Sequence, residues 1–265
     1  MRCLYREHKF LAGNYMDVAI FPVFKNAKKR GAKAKPTSEI QKKLNQRRAE
    51  NYLSLLMNAN FKKGDYEIVL TYSDENLPQS ADELLRDTRN FTRRLKRLYK
   101  KHGIEEVKYI VIPEESSRFH AHIPVTGGID PRLILPLWTY GYINIIPLQF
   151  DMYGLTARAH YLTKETKKNA EHRSFSKRWY ASRNLEKPKE TKRDARISAR
   201  KAEELATISA EERREWEKLY PNYVLVETTP SYNELNGGFY IYAKFYKKGT
   251  RFDVQPKKKS RDEGK

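Results

Sequence analysis

The stretch from Glu106 to Gly128, EVKYIVIPEESSRFHAHIPVTGG, constrains the fold more than any other part of the chain. Two runs rich in β-branched and aromatic residues, EVKYIVIPE and FHAHIPVT, are separated by a short polar turn at Glu115, Ser116 and Ser117. Such runs read as strands, and so short a link joins antiparallel neighbours, because a parallel pair needs a crossover of about a dozen residues. A hairpin is therefore expected here. Side chains alternate along a strand, so His120 and His122 leave one face while Ala121 leaves the other.

Other elements surround this hairpin. DYEIVLTYS, residues 65 to 73, reads as a strand. Ser80 and Glu83 then offer a capping box for a helix with Leu84, Thr88, Phe91, Leu95 and Leu98 at helical spacing, stopped by Gly103. DPRLILPLW predicts a short helix cut off by Pro136, YINIIPLQ another strand, and MYGLTARAHYLTKETKKN a further helix. Upstream, YMDVAIFPVF reads as a strand and KNAKKRGAKAKP as a solvated loop or a phosphate-contacting arm. TSEIQKKLNQRRAENYLSLLMNANF reads as a helix opened by a Ser38/Gln41 capping box. Past residue 170 the charge density predicts mostly exposed helix, before the strand-like runs YVLVETT and GFYIYAKFY.

This order predicts an α+β fold: an antiparallel central sheet with helices packed on it, of the split βαβ, ferredoxin-like kind, plus basic helical and strand extensions. The expected divisions are a basic strand and helix extension at 1–60, the core at 61–170, a basic extension ending in a β-hairpin at 171–250, and a charged, disordered tail at 251–265.

Composition bounds the function. Lys and Arg number 53 against 33 Asp and Glu, a net charge of +20, which points to a polyanionic partner, foremost nucleic acid. No apolar run is long enough to span a bilayer and YMDVAIFPVF lacks a cleavage pattern, so no membrane partner and a cytoplasmic location are expected. A single cysteine, Cys3, excludes an internal disulfide and a multi-cysteine zinc site. A metal would have to be held by His and carboxylate.

His120 and His122 form half of such a site, and Glu114 can complete it from the preceding strand, with Glu115 as the fallback. Two imidazoles and a carboxylate suit Mn²⁺ or Mg²⁺ with open positions, and Zn²⁺ is also compatible with these ligand types. On the later helix Tyr161 and Lys164 share a face with the small Ala157, whereas His160 points about 100° away. A phenol facing a metal can attack phosphorus, and Lys164 can offset charge developing there. For nucleic acid, Arg89, Arg93, Arg94 and Arg97 offer one basic helix face, and Lys42, Lys43, Arg47 and Arg48 another. Arg178, Trp179, Tyr180 and Arg183 interleave cations with aromatics, as suits stacking of unpaired bases or, for Trp179, core packing.

VIPE followed by HAH, then YLTK about forty residues on, resembles the HUH endonucleases, with their histidine–hydrophobic–histidine strand and helical Tyr-x-x-Lys; IVLTYS resembles their first strand motif. KPTSEIQKKLNQRRAENYLSLLMNANF and ASRNLEKP are similar to stretches of rolling-circle replication initiators of phages, plasmids and integrated elements. The resemblance covers roughly residues 20 to 250. It implies a metal-dependent, site-specific DNA endonuclease and strand transferase. His120, His122 and Glu114 would hold the metal, Tyr161 would attack a single-stranded origin DNA phosphate, and Lys164 would place that phosphate. The product would be a 5′-phosphotyrosine with a free 3′-OH primer. Ala157 and Glu165 stand where a second tyrosine could be, so a one-tyrosine enzyme is implied, and Glu165 is a candidate for activating the closing step. With no Gly-x-x-x-x-Gly-Lys loop, it would depend on a helicase and polymerase of the host or element, in a bacterial cytoplasm. A relaxase or single-strand transposase shares this chemistry, and a non-catalytic nucleic-acid-binding module is the alternative from another class.

Overall fold

A computed structural model describes residues 4–23, 39–115, 118–168, 175–208, 213–234 and 237–250, with the side chains of 39–44 and 164–168 left aside. The chain runs through β1 (Leu4–Ala12), β2 (Tyr15–Val23), α1 (Glu39–Asn60), β3 (Tyr66–Tyr72), α2 (Ala81–Lys101), β4 (Ile110–Glu115), β5 (Phe119–Val125) and β6 (Gly141–Pro147). It continues through α3 (Thr156–Lys168), β7 (Tyr180–Ala181), β8 (Lys189–Asp194), α4 (Ala199–Thr207), α5 (Arg214–Leu219), β9 (Tyr223–Asn233) and β10 (Gly238–Lys247). The fold is α+β, with two antiparallel sheets among the described residues.

The central sheet has the order β6-β3-β5-β4-β7. Helix α2 carries the chain from β3 to β4 and leaves a gap one strand wide, which β5 fills by pairing with both. Period-two alternation divides the side chains between two cores. On one face Ile68, Leu70, Tyr72, Ala121 and Ile123 pack with Leu84, Phe91, Leu95 and Tyr99 of α2. On the other, Ile110 and Ile112 meet Leu53, Leu56 and Met57 of α1 and Ala159 and Leu162 of α3. The histidine pair lies on this second face.

Helix α2 begins as its capping signal implies: Ser80 Oγ accepts from the Glu83 amide at 3.3 Å. The Glu83 carboxylate reaches back to the Gln79 amide at 2.7 Å, one residue earlier than the expected partner. Residues 130–138 form two 3₁₀ turns, Pro131–Leu133 and Leu135–Leu137, in place of the short helix expected there. Pro136 has no amide hydrogen to continue an α-helical ladder and disfavours the helical region at the residue before it.

The second sheet has the order β8-β1-β2-β10-β9, so strands from both segments flanking the core share one sheet. Its inner face buries Met16, Val18, Ile20, Ile241, Ala243 and Phe245 against Ala202 and Leu205 of α4 and Trp216 of α5. Two of its strands were not expected. β1, LYREHKFLA, hides its alternation because a charged residue, Glu7, takes an inward position, 1% exposed. β8, KETKRD, is an exposed edge strand with no apolar side to read, and it replaces part of the helix expected after residue 170, of which α4 and α5 are the described helical pieces. The β1–β2 turn sits on the end of α1. At Gly13, φ is +59° and a Cβ would lie 2.7 Å from the Asn58 carbonyl oxygen, so only glycine fits. The Ser38/Gln41 box, the basic segment 25–36, Lys42, Lys43 and the charged tail lie outside the described residues or side chains.

Candidate functional site

The β4–β5 register places Glu114 opposite His120 and Ile112 opposite His122. Cross-strand partners share a face, so the carboxylate and both imidazoles converge. His120 Nε2 lies 3.4 Å and His122 Nε2 3.6 Å from the same oxygen, Glu114 Oε2. One ligand atom from each residue falls within 4.8 Å of the others. Glu114 and His122 are buried and His120 is half-buried. Glu115, one residue further along the strand, faces the other way, so the choice between the two glutamates falls to Glu114.

Hydrogen bonds behind the imidazoles fix their orientation. His120 Nδ1 lies 3.0 Å from the Arg118 carbonyl, and His122 Nδ1 lies 2.9 Å from Glu67 Oε1. Carbonyl and carboxylate oxygens only accept, so each Nδ1 carries a hydrogen, and each Nε2 is directed at the space beside Glu114, where its lone pair is available once that nitrogen is deprotonated. This donor set, with its outer partners in place, can hold a metal ion. Burial works against the His120 imidazolium, but the Glu114 hydrogen bond and the Arg118 carbonyl outweigh it and raise the pKa above the ordinary value. A bound cation would have to displace that proton.

Glu67 is a residue the sequence reading missed. It is 1% exposed at the second position of β3, and both its oxygens are used. His122 donates to Oε1, Arg158 Nε donates to Oε2 at 2.6 Å, and Arg158 Nη2 also donates to Oε1. Burial would push the Glu67 carboxyl up, yet these hydrogen bonds and the Arg158 charge hold it below its usual range. A carboxylate inside the β-branched run YEIVLTY was the available signal, since such a position demands a buried partner.

Arg158 links this framework to Tyr161. Its guanidinium lies 4.6 Å from the centroid of the Tyr161 ring, one helical turn away on α3. Its pKa is raised, first by the Glu67 hydrogen bond against the effect of burial, then by the charges of Glu67, Tyr161 and Glu114. Thus one cation touches the glutamate behind His122, covers the tyrosine ring and lies within electrostatic reach of Glu114 in the candidate metal site. Tyr161 is 51% exposed, and its hydroxyl has no hydrogen-bond partner among the described residues. The phenol is therefore open to a ligand.

Helix α1 sets the position of α3. Asn58 Oδ1 accepts from the Leu155 amide at 2.8 Å, Ser54 Oγ and Thr156 Oγ1 lie 2.8 Å apart, and Ala159 and Leu162 are buried between the helices. With that stripe facing inward, Arg158 reaches Glu67 behind His122, and the Tyr161 ring lies against its guanidinium. Lys164 and Glu165 belong to α3, but their side chains lie outside the described set. His160 is half-buried.

The expected nucleic-acid contacts do not gather in one place. Arg89, Arg93 and Arg97 are exposed and Arg94 half-buried on α2, whose buried face packs on the side of the central sheet away from the triad. Trp179 stacks on Tyr52 with ring centroids 6.4 Å apart and packs against the α1–α3 core, and Tyr180 packs against the α2 core. Arg178 is half-buried beside them and Arg183 is exposed. Among the described residues no helix is long and apolar enough to cross a membrane. No protein-family model matches the chain, and neither does any curated protein or solved structure.

Proposed function

We propose that this protein is a metal-dependent endonuclease and strand transferase of the HUH type, which nicks and rejoins single-stranded DNA at an origin to start rolling-circle replication. The observation that carries the reading is the convergence of Glu114, His120 and His122 on one sheet face, with Arg158 joining that face to an exposed Tyr161. The strand order β6-β3-β5-β4, with α2 as the crossover, supports the split βαβ form of this fold.

Glu114, His120 and His122 would hold Mn²⁺ or Mg²⁺, which when bound polarises a phosphate oxygen and neutralises charge on it. Tyr161 Oη forms a bond to the scissile phosphorus and gives up its proton, while the phosphorus–O3′ bond breaks and the departing 3′-oxygen takes a proton. One phosphoester replaces another and no redox change occurs, so the reverse attack by the 3′-OH reseals the strand without a nucleotide cofactor. Arg158 holds the ring in place while Glu67 fixes both Arg158 and the His122 imidazole. The net charge of +20 favours a polyanionic substrate, and the freed 3′-OH would be extended by a partner polymerase behind a partner helicase.

The test is incubation with labelled single-stranded origin DNA and Mn²⁺, where origin candidates come from sequencing the DNA that copurifies with Tyr161→Phe. A covalent adduct is expected with the wild type and none with Tyr161→Phe, although the variant still binds. Binding without any adduct across those sequences would assign the chain to the non-catalytic nucleic-acid-binding class.

A further inference from the structure

Strand register extends the site beyond its ligands. Tyr142, Thr71, His120 and Glu114 form one cross-strand row on the same sheet face, and Asn144, Val69, His122 and Ile112 form the next. β6, which supplies Tyr142 and Asn144, is the outermost strand of this sheet. Tyr142 is 74% exposed, the most of any large apolar side chain described, and Ile146 on the same face is 38% exposed.

Edge strands of folded proteins normally carry charge or another device that deters pairing with a second chain. β6, GYINIIP, has no charged residue, in a chain of which 32% is charged. It instead presents an aromatic ring in line with the metal ligands. Neighbouring strands are about 4.8 Å apart, so Tyr142 stands two strands, or roughly 10 Å, from His120. A nucleic-acid backbone crosses that distance in a few nucleotides. Nearby, Arg118 donates to the Tyr72 carbonyl and pairs with Asp74 at 2.8 Å, and Tyr72 lies opposite Gly141, the neighbour of Tyr142.

We propose that the exposed face of β6 is a stacking platform for unpaired bases next to the phosphate held at the metal centre, with Tyr142 as its main contact. The proposal rests on the DNA-nicking reading for the identity of its ligand. An aromatic face stacks any base, so the platform supplies affinity for single strands and little choice of sequence. Duplex DNA, whose bases are already stacked on one another, gains nothing from it.

The experiment measures full-length wild type, Tyr142→Ala and Tyr142→Trp by fluorescence anisotropy with a labelled oligothymidylate and with a labelled duplex. It is paired with quenching of a 2-aminopurine oligonucleotide and with sedimentation of the protein alone. Tyr142→Ala is expected to weaken single-strand binding about ten-fold and to lose the quenching, while Tyr142→Trp restores both and duplex affinity stays unchanged. The side chain is exposed, so thermal stability should not move and serves as the folding control. Equal single-strand affinity for wild type and Tyr142→Ala overturns the platform. A concentration-dependent dimer that Tyr142→Ala disperses also overturns it and gives the β6 edge to a second copy of the chain. These readouts report binding alone: stacking without any covalent adduct sinks the nicking reading and keeps the platform, and adduct formation with no Tyr142 effect does the reverse.

Discussion

The two sheets contain the same three-residue arrangement put to different uses. In the central sheet, buried Glu67 is bound by Arg158, whose guanidinium lies 4.6 Å from the Tyr161 ring centroid. In the second sheet, buried Glu7 is bound by Arg196, whose guanidinium lies 5.4 Å from the Tyr220 ring centroid. The tyrosines differ. Tyr220 is 4% exposed, its hydroxyl donates to Glu7 at 2.5 Å, and burial together with that carboxylate pushes its pKa far up. Tyr161 is half exposed, and Glu67 accepts from His122 and Arg158 with no phenol among its described donors. A Glu–Arg–Tyr group is thus a structural clasp when the phenol is consumed inside it, and a candidate reaction centre when the phenol is left over.

Removing each hydroxyl gives the widest contrast. Tyr161→Phe should lower covalent adduct formation by at least about 10³-fold with the melting temperature unchanged. Tyr220→Phe should leave adduct formation intact and cost about 1.5–3 kcal/mol in denaturant unfolding, the worth of a buried hydrogen bond to a charged group. Equal behaviour of the two variants would dissolve the comparison.

The two glutamates should separate next. Glu67→Gln removes the negative charge behind His122 and puts an NH₂ donor where one of the oxygens accepting from His122 and Arg158 stood, and Mn²⁺ affinity by calorimetry should fall about 10–100-fold. Glu7→Gln should leave Mn²⁺ affinity alone and destabilise the fold by about 3–5 kcal/mol, as expected when a buried ion pair loses one partner. Direct loss of a ligand in His122→Ala sets the lower limit for the affinity series.

Acid titration in the presence of a chelator sharpens the difference between the sheets. Glu67 has a depressed pKa in the folded state, so its contribution is present above the ordinary value of 4.5 and is lost as pH falls through the folded value. Asp17, in β2, runs the other way: burial, only partly offset by Lys244, pushes it up to about 6. Its contribution is fully present below the ordinary 3.8 and is lost as pH rises through about 6. Asp17→Asn should therefore stabilise the protein at pH 7 by roughly 1–3 kcal/mol and change little at pH 4. A stabilisation that does not depend on pH would remove Asp17 as its source.

Local signals were readable and distant pairings were not. The β4–β5 hairpin, the shared face of the histidines and the candidacy of Glu114 follow from alternation within a short stretch, and the register chose Glu114 over Glu115. Tyr161 stood out through its place on a helix. Glu67, inside its β-branched run, signals only that it needs some buried partner, Arg158 reads alone as an ordinary charged residue, and only folding brings the two together. β8 escaped because an edge strand with every side chain in water has no alternation to display. The basic helix α2, whose arginines read as a possible DNA track, covers the other side of the sheet from the triad, a placement its own sequence could not reveal.

The pairing of β2 with β10 has a consequence for biosynthesis. Every strand of the central sheet lies between Tyr66 and Ala181, so that layer can close while the ribosome is still producing the remainder. The β1–β2 ribbon is made before that layer, yet its β1 edge must wait for β8 and its β2 edge for β10, the last of the described strands. The candidate site would then be assembled before the neighbouring sheet, and a stalled or shortened nascent chain would expose the ribbon to chaperones or to aggregation.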